Sequence, residues 1–288
     1  MYELIKHYHN DNQLRKSFNE LAKRTFSLDF EDWYQNGYWR EDYIPYSIMH
    51  NGIIVANVSV NIIDMMWNGK GKHFLQLGTV MTDEKYRNQG FIRRIMNEIE
   101  QDYAHKVDGM YLYANDSVVE FYPKFGYQKA NEYQYTKSVT ITSESRVRQV
   151  PMENKKDWDI IESAIENRIP FSSFELINNI GLYMFYLTQF MKNNVYYDEI
   201  TKAYVVAEVE NGEVLIHSII SMEKVNLDDV IEAFGHEVNR VVLGFVPPNK
   251  ENYTITEISE ENTTFFVRGK DFIEFENEKL RFSTMSHA

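Results

Sequence analysis

The spacing of apolar and polar residues changes several times along the first 140 residues. Between Leu14 and Phe26, apolar side chains recur every three or four residues, which predicts a helix. From Tyr46 to Ile63 they alternate with polar ones on both sides of Asn51-Gly52, a dipeptide that tolerates the positive φ angles of a tight hairpin turn. A second turn at Asn68–Gly71 leads to Lys72–Met81. These patterns predict one helix followed by three antiparallel strands.

The rest of this region predicts a crossover between parallel strands. Ile92, Ile95, Met96, Ile99 and Tyr103 follow the period of an amphipathic helix that starts near Gly90. Because a helix between two strands of one sheet makes them parallel, we expect an α/β fold with a mostly antiparallel sheet and one strand–helix–strand unit. The remaining predicted elements are a strand at Gly109–Ala114, a helix cap at Asn115–Ser117, a short helix at Val118–Phe125 that Pro123 and Gly126 help to end, and a closing strand at Tyr133–Thr142.

The second half repeats this order in a weaker form. A polar stretch without a clear period, residues 140–154, separates the two halves and predicts two domains, 1–140 and 150–288. The predicted elements of the second half are helices at Trp158–Asn167, Leu182–Met191 and Leu227–Phe234, and strands at Lys202–Val209, Val214–Met222 and Val241–Val246.

Charge and composition narrow the possible partners. Residues 1–140 carry 16 basic and 18 acidic residues, whereas residues 141–288 carry 14 and 25, so the acidity of this 288-residue chain lies in its second half. Such a surface repels phosphate backbones, which disfavours nucleic-acid binding and favours a cationic partner, although acidity for solubility alone is an equal alternative. Cysteine is absent, which excludes thiolate nucleophiles and Cys-ligated zinc.

No segment predicts a membrane association or a metal site. The longest nearly uncharged stretch, Asn178–Met191, is shorter than the ~18 residues that cross a bilayer, and we interpret it as a buried helix or the lining of an apolar channel. The first ten residues do not resemble a signal peptide, so we expect a cytoplasmic location. His7 and His9 have no third ligand nearby in the sequence, and we therefore expect no metal.

The segment Gly78–Ile92 has the features of a phosphate-binding turn. An apolar strand leads directly into Arg87-Asn88-Gln89-Gly90 and then a helix. A glycine lets main-chain N–H groups approach a ligand, and a helix N-terminus adds unpaired donors and partial positive charge. The combination predicts a pyrophosphate site, and a simple surface turn is the alternative. Arg93 and Arg94 oppose the helix dipole, which indicates either a nearby anion or ordinary solvated side chains.

Two segments together resemble the acyl-CoA motifs of the GNAT N-acetyltransferase superfamily. The first is Thr79-Val80-Met81 followed by Arg87-Asn88-Gln89-Gly90-Phe91-Ile92, and the second is Phe121-Tyr122-Pro123-Lys124-Phe125-Gly126-Tyr127. Ile92 stands where a small residue is commonest in the family. The bulky continuation resembles the enhanced-intracellular-survival (Eis) branch, whose members pair a catalytic GNAT domain with a degenerate second one and add a third, for which we expect no room here.

The resemblance implies a set of acetyl-CoA contacts and one catalytic residue. Tyr122 matches the family's general acid, which protonates or hydrogen-bonds the departing CoA thiolate, although a core tyrosine is the alternative. A mostly antiparallel GNAT sheet flanked by helices is the implied fold. The implied cosubstrate residues are Val80, Met81 and Thr82 for the pantetheine arm, Arg87, Asn88, Gln89, Gly90, Phe91 and Ile92 for the pyrophosphate, and Asn115 after the next strand.

A general base cannot be assigned. In the family this base often lies four residues before the valine, where this chain has Gln76, which cannot take a proton. His73 falls on the opposite face of the strand, while His50, Asp83 and Glu84 have no supporting pattern, and a water relay would also serve.

The sequence predicts acetyl transfer from acetyl-CoA to a primary amine, a small molecule or a peptide. A non-catalytic acyl-CoA sensor is the alternative that the missing base favours. In the second half, Asp228 and Asp229 stand where a pyrophosphate would need positive charge, so we expect a degenerate GNAT-like domain without a CoA site. This half would complete the acceptor cleft, form a homodimer or hold a cation. In a further alternative it would be a protein-binding module, and residues 1–140 alone would be active.

Overall fold

The computed structural model describes residues 1–287 as two β-sheets with helices packed against them. This is the mixed, mostly antiparallel α/β architecture that the sequence predicts. The strands are β1 (Tyr2–Lys6), β2 (Tyr43–His50), β3 (Ile53–Trp67), β4 (Lys70–Thr82), β5 (Gly109–Ala114), β6 (Gln128–Lys129), β7 (Tyr133–Ser138), β8 (Arg148–Gln149), β9 (Phe174–Leu176), β10 (Val195–Asp198), β11 (Ala203–Glu210), β12 (Glu213–Ile220), β13 (Arg240–Leu243), β14 (Thr254–Glu257) and β15 (Thr264–Arg268). The helices are α1 (Asn12–Phe26), α2 (Glu31–Gln35), α3 (Phe91–Tyr103), α4 (Lys155–Glu166), α5 (Ile180–Gln189), α6 (Leu227–Glu232) and α7 (Phe272–Asn277), with 3₁₀ turns at Glu84–Tyr86, Asp116–Val118, Tyr122–Phe125 and Thr284–Ser286.

The first sheet has the order β1-β2-β3-β4-β5-β15-β6, with β9 paired to β3. Asn51 and Gly52 turn the β2–β3 hairpin with φ angles of 52° and 77°, and Asn68 and Gly69 do the same between β3 and β4, as the sequence predicts. Strands β4 and β5 are parallel because α3 connects them. Apolar side chains of α3, among them Ile95 and Ile99, are buried against the sheet.

The second sheet has the order β14-β7-β13-β12-β11-β10-β8. Asn211 and Gly212, with φ angles of 50° and 81°, turn the β11–β12 hairpin. Helix α6 connects the parallel strands β12 and β13, so the second sheet repeats the crossover of the first.

Each sheet contains a strand from the other half of the chain. The alternation at Tyr133–Thr142 predicted a strand that closes the first sheet, but β7 lies between β13 and β14 in the second sheet. Strand β15, which the sequence analysis missed, lies between β5 and β6 in the first sheet. A period of two identifies a half-buried strand but does not identify its neighbours, which explains this error.

The helix predicted at Val118–Phe125 is also wrong. The structure has two 3₁₀ turns instead, Asp116–Val118 and Tyr122–Phe125. Pro123 at the start of the second turn lacks an N–H group, and Gly126 ends this turn with a φ angle of 81°. A segment bounded by these two residues is too short for a regular helix.

Two hydrophobic clusters cover the two faces of the first sheet. The face that packs against α3 includes Leu77, Phe91 and Tyr122, and we call this set the α3 cluster. The opposite face forms a single core with the second sheet. The two halves therefore share buried side chains as well as strands. No helix within residues 1–287 is long and apolar enough to span a membrane.

Candidate functional site

Strands β4 and β5 diverge at one end of the first sheet. Their parallel pairing runs from Phe74 opposite Gly109 to Leu77 opposite Leu112 and stops there, although β4 continues to Thr82. The main chain beyond Leu77 therefore faces an opening between the two strands. An unpaired strand edge offers hydrogen-bonding groups to an extended ligand.

A β-bulge marks the point where the strands part. Asn57 pairs with Met81 and Ser59 pairs with Gly78, so Thr79 and Val80 of β4 lie opposite one residue of β3. Thr79 has a φ angle of 48°, in the left-handed region that β-branched residues avoid. Such a conformation costs about 1–3 kcal/mol and persists only where surrounding contacts enforce it.

The loop between β4 and α3 leaves the N-terminus of the helix open to a ligand. Gly90 occupies the N-cap position with a φ angle of 75°, and no described side chain caps this end of α3. A Cβ atom on Gly90 would meet nothing within 4 Å, so glycine is needed here for its conformation. Arg87, Asn88 and Gln89 are exposed, and an Arg87 Nη2 atom lies 3.5 Å from a carboxylate oxygen of Glu84. The first N–H groups of α3 can therefore bind an anion.

The two arginines in the first turn of α3 have protein contacts. Arg94 donates from Nη1 to the carbonyl oxygen of Tyr2 at 3.2 Å. The guanidinium of Arg93 lies 5.5 Å from the ring centroid of Phe125. Arg93 also lines a cavity of about 280 Å³ between α3 and the turn that contains Lys124. Three cations, Arg93, Lys124 and Arg268, and one carboxylate, Glu100, line this cavity, which makes its wall positive.

Tyr122 is buried on the α3 side of the first sheet. Its side chain is 4% exposed and belongs to the α3 cluster, and its ring centroid lies 5.7 Å from that of Phe266 on β15. Burial raises the pKa of the Tyr122 phenol to about 12. The phenol is therefore neutral at physiological pH and can donate its proton to a hydrogen bond.

The structure brings most of the predicted site residues to one end of the sheet. Val80 and Ile92 pack partly buried against the α3 cluster, which contains Phe91 and Tyr122. The side chain of Met81 points into the opposite core, so only its main chain can face the opening. Thr82 ends β4 and is partly exposed. Asn115 is exposed directly after β5, and its side chain caps nothing among the described residues.

Three of the residues considered as general bases, His73, Asp83 and Glu84, are paired with charged side chains, and Gln76 cannot accept a proton. Gln76 is fully buried, and neither atom of its side-chain amide has a hydrogen-bond partner among residues 1–287. His73 Nδ1 lies 2.5 Å from a carboxylate oxygen of Asp64. Asp83 caps the turn Glu84–Tyr86 and pairs with Arg24. His50 lies at the turn of the β2–β3 hairpin, where its ring centroid is 4.4 Å from that of Tyr2 and 6.0 Å from that of Tyr86. No group of three or more metal-ligating side chains occurs in the part of the chain that the structure describes.

A row of buried polar residues on β3 runs from the bulge along the strand, and the sequence did not predict its burial. Asn57, Ser59 and Asn61 alternate with valines along β3, and all three are at most 1% exposed. Polar residues at a period of two normally indicate a solvent-facing strand. Their spacing was visible in the sequence, but only the structure shows what covers this face, namely α1 of the first half and Asn179 of the second half, which donates to Asn61 Oδ1 at 2.7 Å.

The corresponding opening in the second sheet is filled by the chain itself. Strand β12 pairs with β13 only as far as Ile216 opposite Leu243. Beyond that point Gly244 donates its N–H to the Ile216 carbonyl at 2.7 Å, and Thr284 donates its N–H to the Gly244 carbonyl at 3.0 Å. A Cβ atom on Gly244 would lie 2.7 Å from Thr284 Oγ1. Asp228 and Asp229 occupy the first turn of the short helix α6.

Comparisons with known proteins agree with this fold. The model of the acetyltransferase (GNAT) domain family matches residues 12–130. A probable N-acyltransferase of unknown function from Enterococcus faecalis V583 is similar in structure, with a TM-score of 0.61 and 16% identity over 96% of this chain and 74% of that one. Eis1 from Mycobacterium abscessus has a TM-score of 0.54 and 10% identity over 92% of this chain and 73% of its own. A GCN5-related N-acetyltransferase from Kribbella flavida has a TM-score of 0.53 and 14% identity over 94% of this chain and 71% of its own. No curated protein sequence matches the chain.

The sequence motifs and the diverging strands lie within the segment that the family model matches. The motif residues Val80 to Ile92 and Tyr122 fall inside the matched range. The similar solved structures extend the likeness of the fold to more than nine-tenths of the chain. Residues 12–130 of this chain therefore match the GNAT acetyltransferase domain model, and the two-sheet fold of the chain resembles that of Eis1.

Proposed function

We propose that this protein is an N-acetyltransferase that moves an acetyl group from acetyl-CoA to a primary amine. The observation that carries the proposal is the end of β4–β5 pairing at Leu77, directly before the bulge in β4. An open helix N-terminus at α3 and the buried phenol of Tyr122 follow later in the chain. In the proposed complex the phenol would serve the thioester, the free edge of β4 would serve the pantetheine arm, and the N-terminus of α3 would serve the pyrophosphate. A surface turn alone would require none of the other features.

Acetyl-CoA would bind mainly through main-chain groups. Val80, Met81 and Thr82 would offer the N–H and C=O groups of the free β4 edge to the amides of the pantetheine arm. The pyrophosphate would lie against the N-terminus of α3, where main-chain donors and the helix dipole favour an anion. Exposed Arg87 would add a charge-assisted hydrogen bond worth roughly 1.5–3 kcal/mol before solvent screening. The residues of this pyrophosphate contact would be Arg87, Asn88, Gln89, Gly90, Phe91 and Ile92.

Two further groups of residues would contact the nucleotide part of the cosubstrate. Asn115 would contact the cosubstrate from the other side of the opening, because it directly follows β5. The positive wall around Lys124 and Arg93 would face the nucleotide end of the molecule and attract its phosphates.

The reaction would be direct attack of the neutral amine on the thioester carbonyl carbon. The new C–N bond forms, the C–S bond breaks, and the electron pair of the broken bond stays on the CoA sulfur. The ammonium proton of the product leaves to water. The sequence has no cysteine that could carry the acetyl group, so no covalent intermediate on a thiol is needed or available.

Tyr122 would stabilise the departing sulfur by donating a hydrogen bond. A thiol has a pKa near ~8.5, whereas burial raises the pKa of Tyr122 to about 12. Complete proton transfer from the phenol to the thiolate would therefore cost roughly 4–5 kcal/mol, at 1.36 kcal/mol per pKa unit. The phenol would keep its proton and act through the hydrogen bond, which strengthens as charge develops on sulfur.

We further propose that the first half, residues 1–140, carries the CoA site and that the second half, residues 150–288, is a GNAT-like domain without one. The strand and loop contacts of Gly244 and Thr284 close the second opening, and Asp228 and Asp229 repel a pyrophosphate. The second half would instead cover the acceptor face of the first sheet, where the two halves share one core.

The alternative function is that of a non-catalytic acyl-CoA sensor. Gln76 favours it, because a buried amide replaces the base that the family often has at this position. Release of free CoA thiol from acetyl-CoA separates the two functions, measured with a panel of polyamines, aminoglycosides and peptides. Binding of acetyl-CoA without thiol release on any amine would establish the sensor and refute the transferase.

Tyr122→Phe tests the catalytic role directly. We expect kcat to fall by ~10² or more while the affinity for CoA stays nearly constant, because the hydroxyl acts on the developing thiolate. Tyr127→Phe is the matched control, since Tyr127 is an equally buried phenol in the same cluster whose hydroxyl contacts Met110 Sδ at 3.5 Å. An unchanged kcat in Tyr122→Phe would remove Tyr122 from the mechanism.

A further inference from the structure

Thr79 adopts a strained main-chain conformation at the point where β4 leaves β5. Its φ angle of 48° is unfavourable for a β-branched residue, and glycine would adopt it without cost. The same residue lies in the bulge that turns the following main chain, Val80–Thr82, towards the opening. A strained residue at such a point must be held by its neighbours.

Two side chains form hydrogen bonds with Thr79, one with its main chain and one with its hydroxyl. Asn57 Nδ2 donates to the main-chain carbonyl of Thr79 at 2.9 Å, and the Tyr43 hydroxyl lies 2.7 Å from Thr79 Oγ1. Asn57 is fully buried, and Tyr43 is 5% exposed. The first contact fixes the peptide after Thr79, and the second fixes its side chain.

Asn57 is itself held by a chain of buried hydrogen bonds. Its Nδ2 also donates to Ser59 Oγ at 2.9 Å, and its Oδ1 accepts from Ser47 Oγ at 2.8 Å. The Ser47 hydroxyl in turn lies 2.6 Å from the hydroxyl of Tyr8. Because the amide of Asn57 interrupts the hydroxyl groups, this chain is suited to hold a geometry and not to conduct a proton. It uses every polar atom of the Asn57 side chain.

We propose that Asn57 is a positioning residue for acetyl transfer, which holds Thr79 in its left-handed conformation and so aims the Val80–Thr82 main chain at the pantetheine arm that carries the thioester. This proposal rests on the proposed function. Asn57 lies on β3, on the side of β4 away from β5, and all polar atoms of its side chain are bonded within the protein, so it would act through Thr79 and not by contact with acetyl-CoA. Misplacement of a reacting group by about 1 Å can cost ~10² in rate, whereas the pyrophosphate contacts at α3 would be unaffected.

The experiment compares Asn57→Asp with the double variant Asn57→Asp/Thr79→Gly. Aspartate has nearly the same shape, but its carboxylate cannot donate to the Thr79 carbonyl. We expect kcat to fall about 10- to 100-fold in the single variant, with the dissociation constant for CoA within about threefold of the unsubstituted protein. Because glycine needs no support at φ 48°, the double variant should return to within about threefold of Thr79→Gly alone.

Ser17→Ala is the matched control for a lost buried hydrogen bond at the same strand. Ser17 Oγ accepts the N–H of Ile54 on β3 at 2.8 Å, away from the bulge. This variant should lose stability without a change in kcat. If Asn57→Asp does not fold, Tyr43→Phe replaces it, because it removes only the hydroxyl that contacts Thr79, and Tyr43→Phe/Thr79→Gly should restore its kcat.

The outcomes separate this proposal from the proposed function. If the unsubstituted protein releases no thiol with any amine, the proposed function is refuted and the positioning role fails with it. If that protein is active and the folded Asn57→Asp or Tyr43→Phe variant keeps its kcat, only the positioning role is refuted. A fall in kcat that Thr79→Gly does not rescue also refutes it, because Asn57 would then act by another route.

Discussion

Residues 1–140 should not fold into an active unit by themselves, because their sheet contains a strand from the second half. Strand β15 pairs with β5 through five residue pairs, from Thr264 opposite Ala114 to Arg268 opposite Met110. At about 1 kcal/mol net for each main-chain hydrogen bond, its removal costs about 5 kcal/mol. Phe266 is fully buried in the α3 cluster, and its burial contributes a further 1.5–3 kcal/mol, roughly.

The loss would be comparable with the whole stability of a domain. The two contributions of β15 add up to about 7 kcal/mol, which is within the free energy of unfolding of typical domains, roughly 5–15 kcal/mol. The catalytic group would suffer as well, since the Tyr122 ring packs 5.7 Å from that of Phe266 and Arg268 forms two hydrogen bonds with Glu100 of α3. We therefore expect the fragment to lack both a cooperative unfolding transition and acetyl transfer.

The assay is urea denaturation followed by circular dichroism, together with thiol release, for the fragment and the full chain. Co-expression of residues 141–288 should restore both properties, because it returns β15 to the first sheet. A fragment 1–140 that unfolds cooperatively and keeps the kcat of the full chain would refute this reasoning. It would support instead an independent catalytic domain beside a protein-binding module.

Two substitutions test the phosphate turn and a buried carboxylate. Gly90→Ala should lower the affinity for CoA measured by calorimetry. Gly37→Ala is the control, because Gly37 has a similar φ of 78° and equally open surroundings; both variants should lose about 1–2 kcal/mol of stability, but only Gly90→Ala should affect CoA binding. Equal affinities for CoA in the two variants would remove Gly90 from the site. Burial raises the pKa of Glu132 from 4.5 to about 7, so the folded protein holds a proton that the unfolded chain has lost, and stability from this group falls by up to about 3 kcal/mol as the pH rises from 4.5 through 7. Urea midpoints at pH 5 and pH 8 should therefore differ less in Glu132→Gln than in the unsubstituted protein, and an equal difference in both would contradict the shift.

Local chemistry made the hairpins predictable from the sequence. Asn51-Gly52 and Asn68-Gly69 require positive φ at both positions, and few other dipeptides accept that conformation. The amphipathic period of α3 similarly identified a helix with one buried face. In these segments the residues that decide the structure are neighbours in the chain. The site residues, including Tyr122, came from the resemblance to a family and stay predictions.

Long-range pairing could not be predicted in the same way. Strand β15 contains Phe265, Phe266 and Val267 in a row, a pattern that fits any buried strand and does not name its partner more than 140 residues earlier. The row Asn57, Ser59 and Asn61 was assigned no role because its period fits a solvent-exposed face, and its burial depends on α1 and the second half, which are distant in the chain. Which sheet a strand joins is decided by the sum of the packing on both of its faces, and that sum is not a property of the strand alone.

The absence of a base at Gln76 has a consequence for the pH dependence of the reaction. An ammonium acceptor has a pKa of roughly 10.4 and cannot attack until it loses a proton. Tyr122, with a pKa raised to about 12, stays protonated and does not accept this proton at neutral pH. Without a protein base, kcat/KM should rise about tenfold per pH unit until the pH reaches the pKa of the acceptor itself.

Two acceptors whose ammonium pKa values differ by about two units distinguish the mechanisms. If water takes the proton, their kcat/KM profiles should level off about two pH units apart, because each limb belongs to the substrate. If a side chain of the protein takes it, both profiles should bend at one common pH below either amine pKa. A common bend would show that an ionisable group outside Gln76 serves the site, and Glu84→Gln and Asp83→Asn would then be the first variants in which to look for its loss.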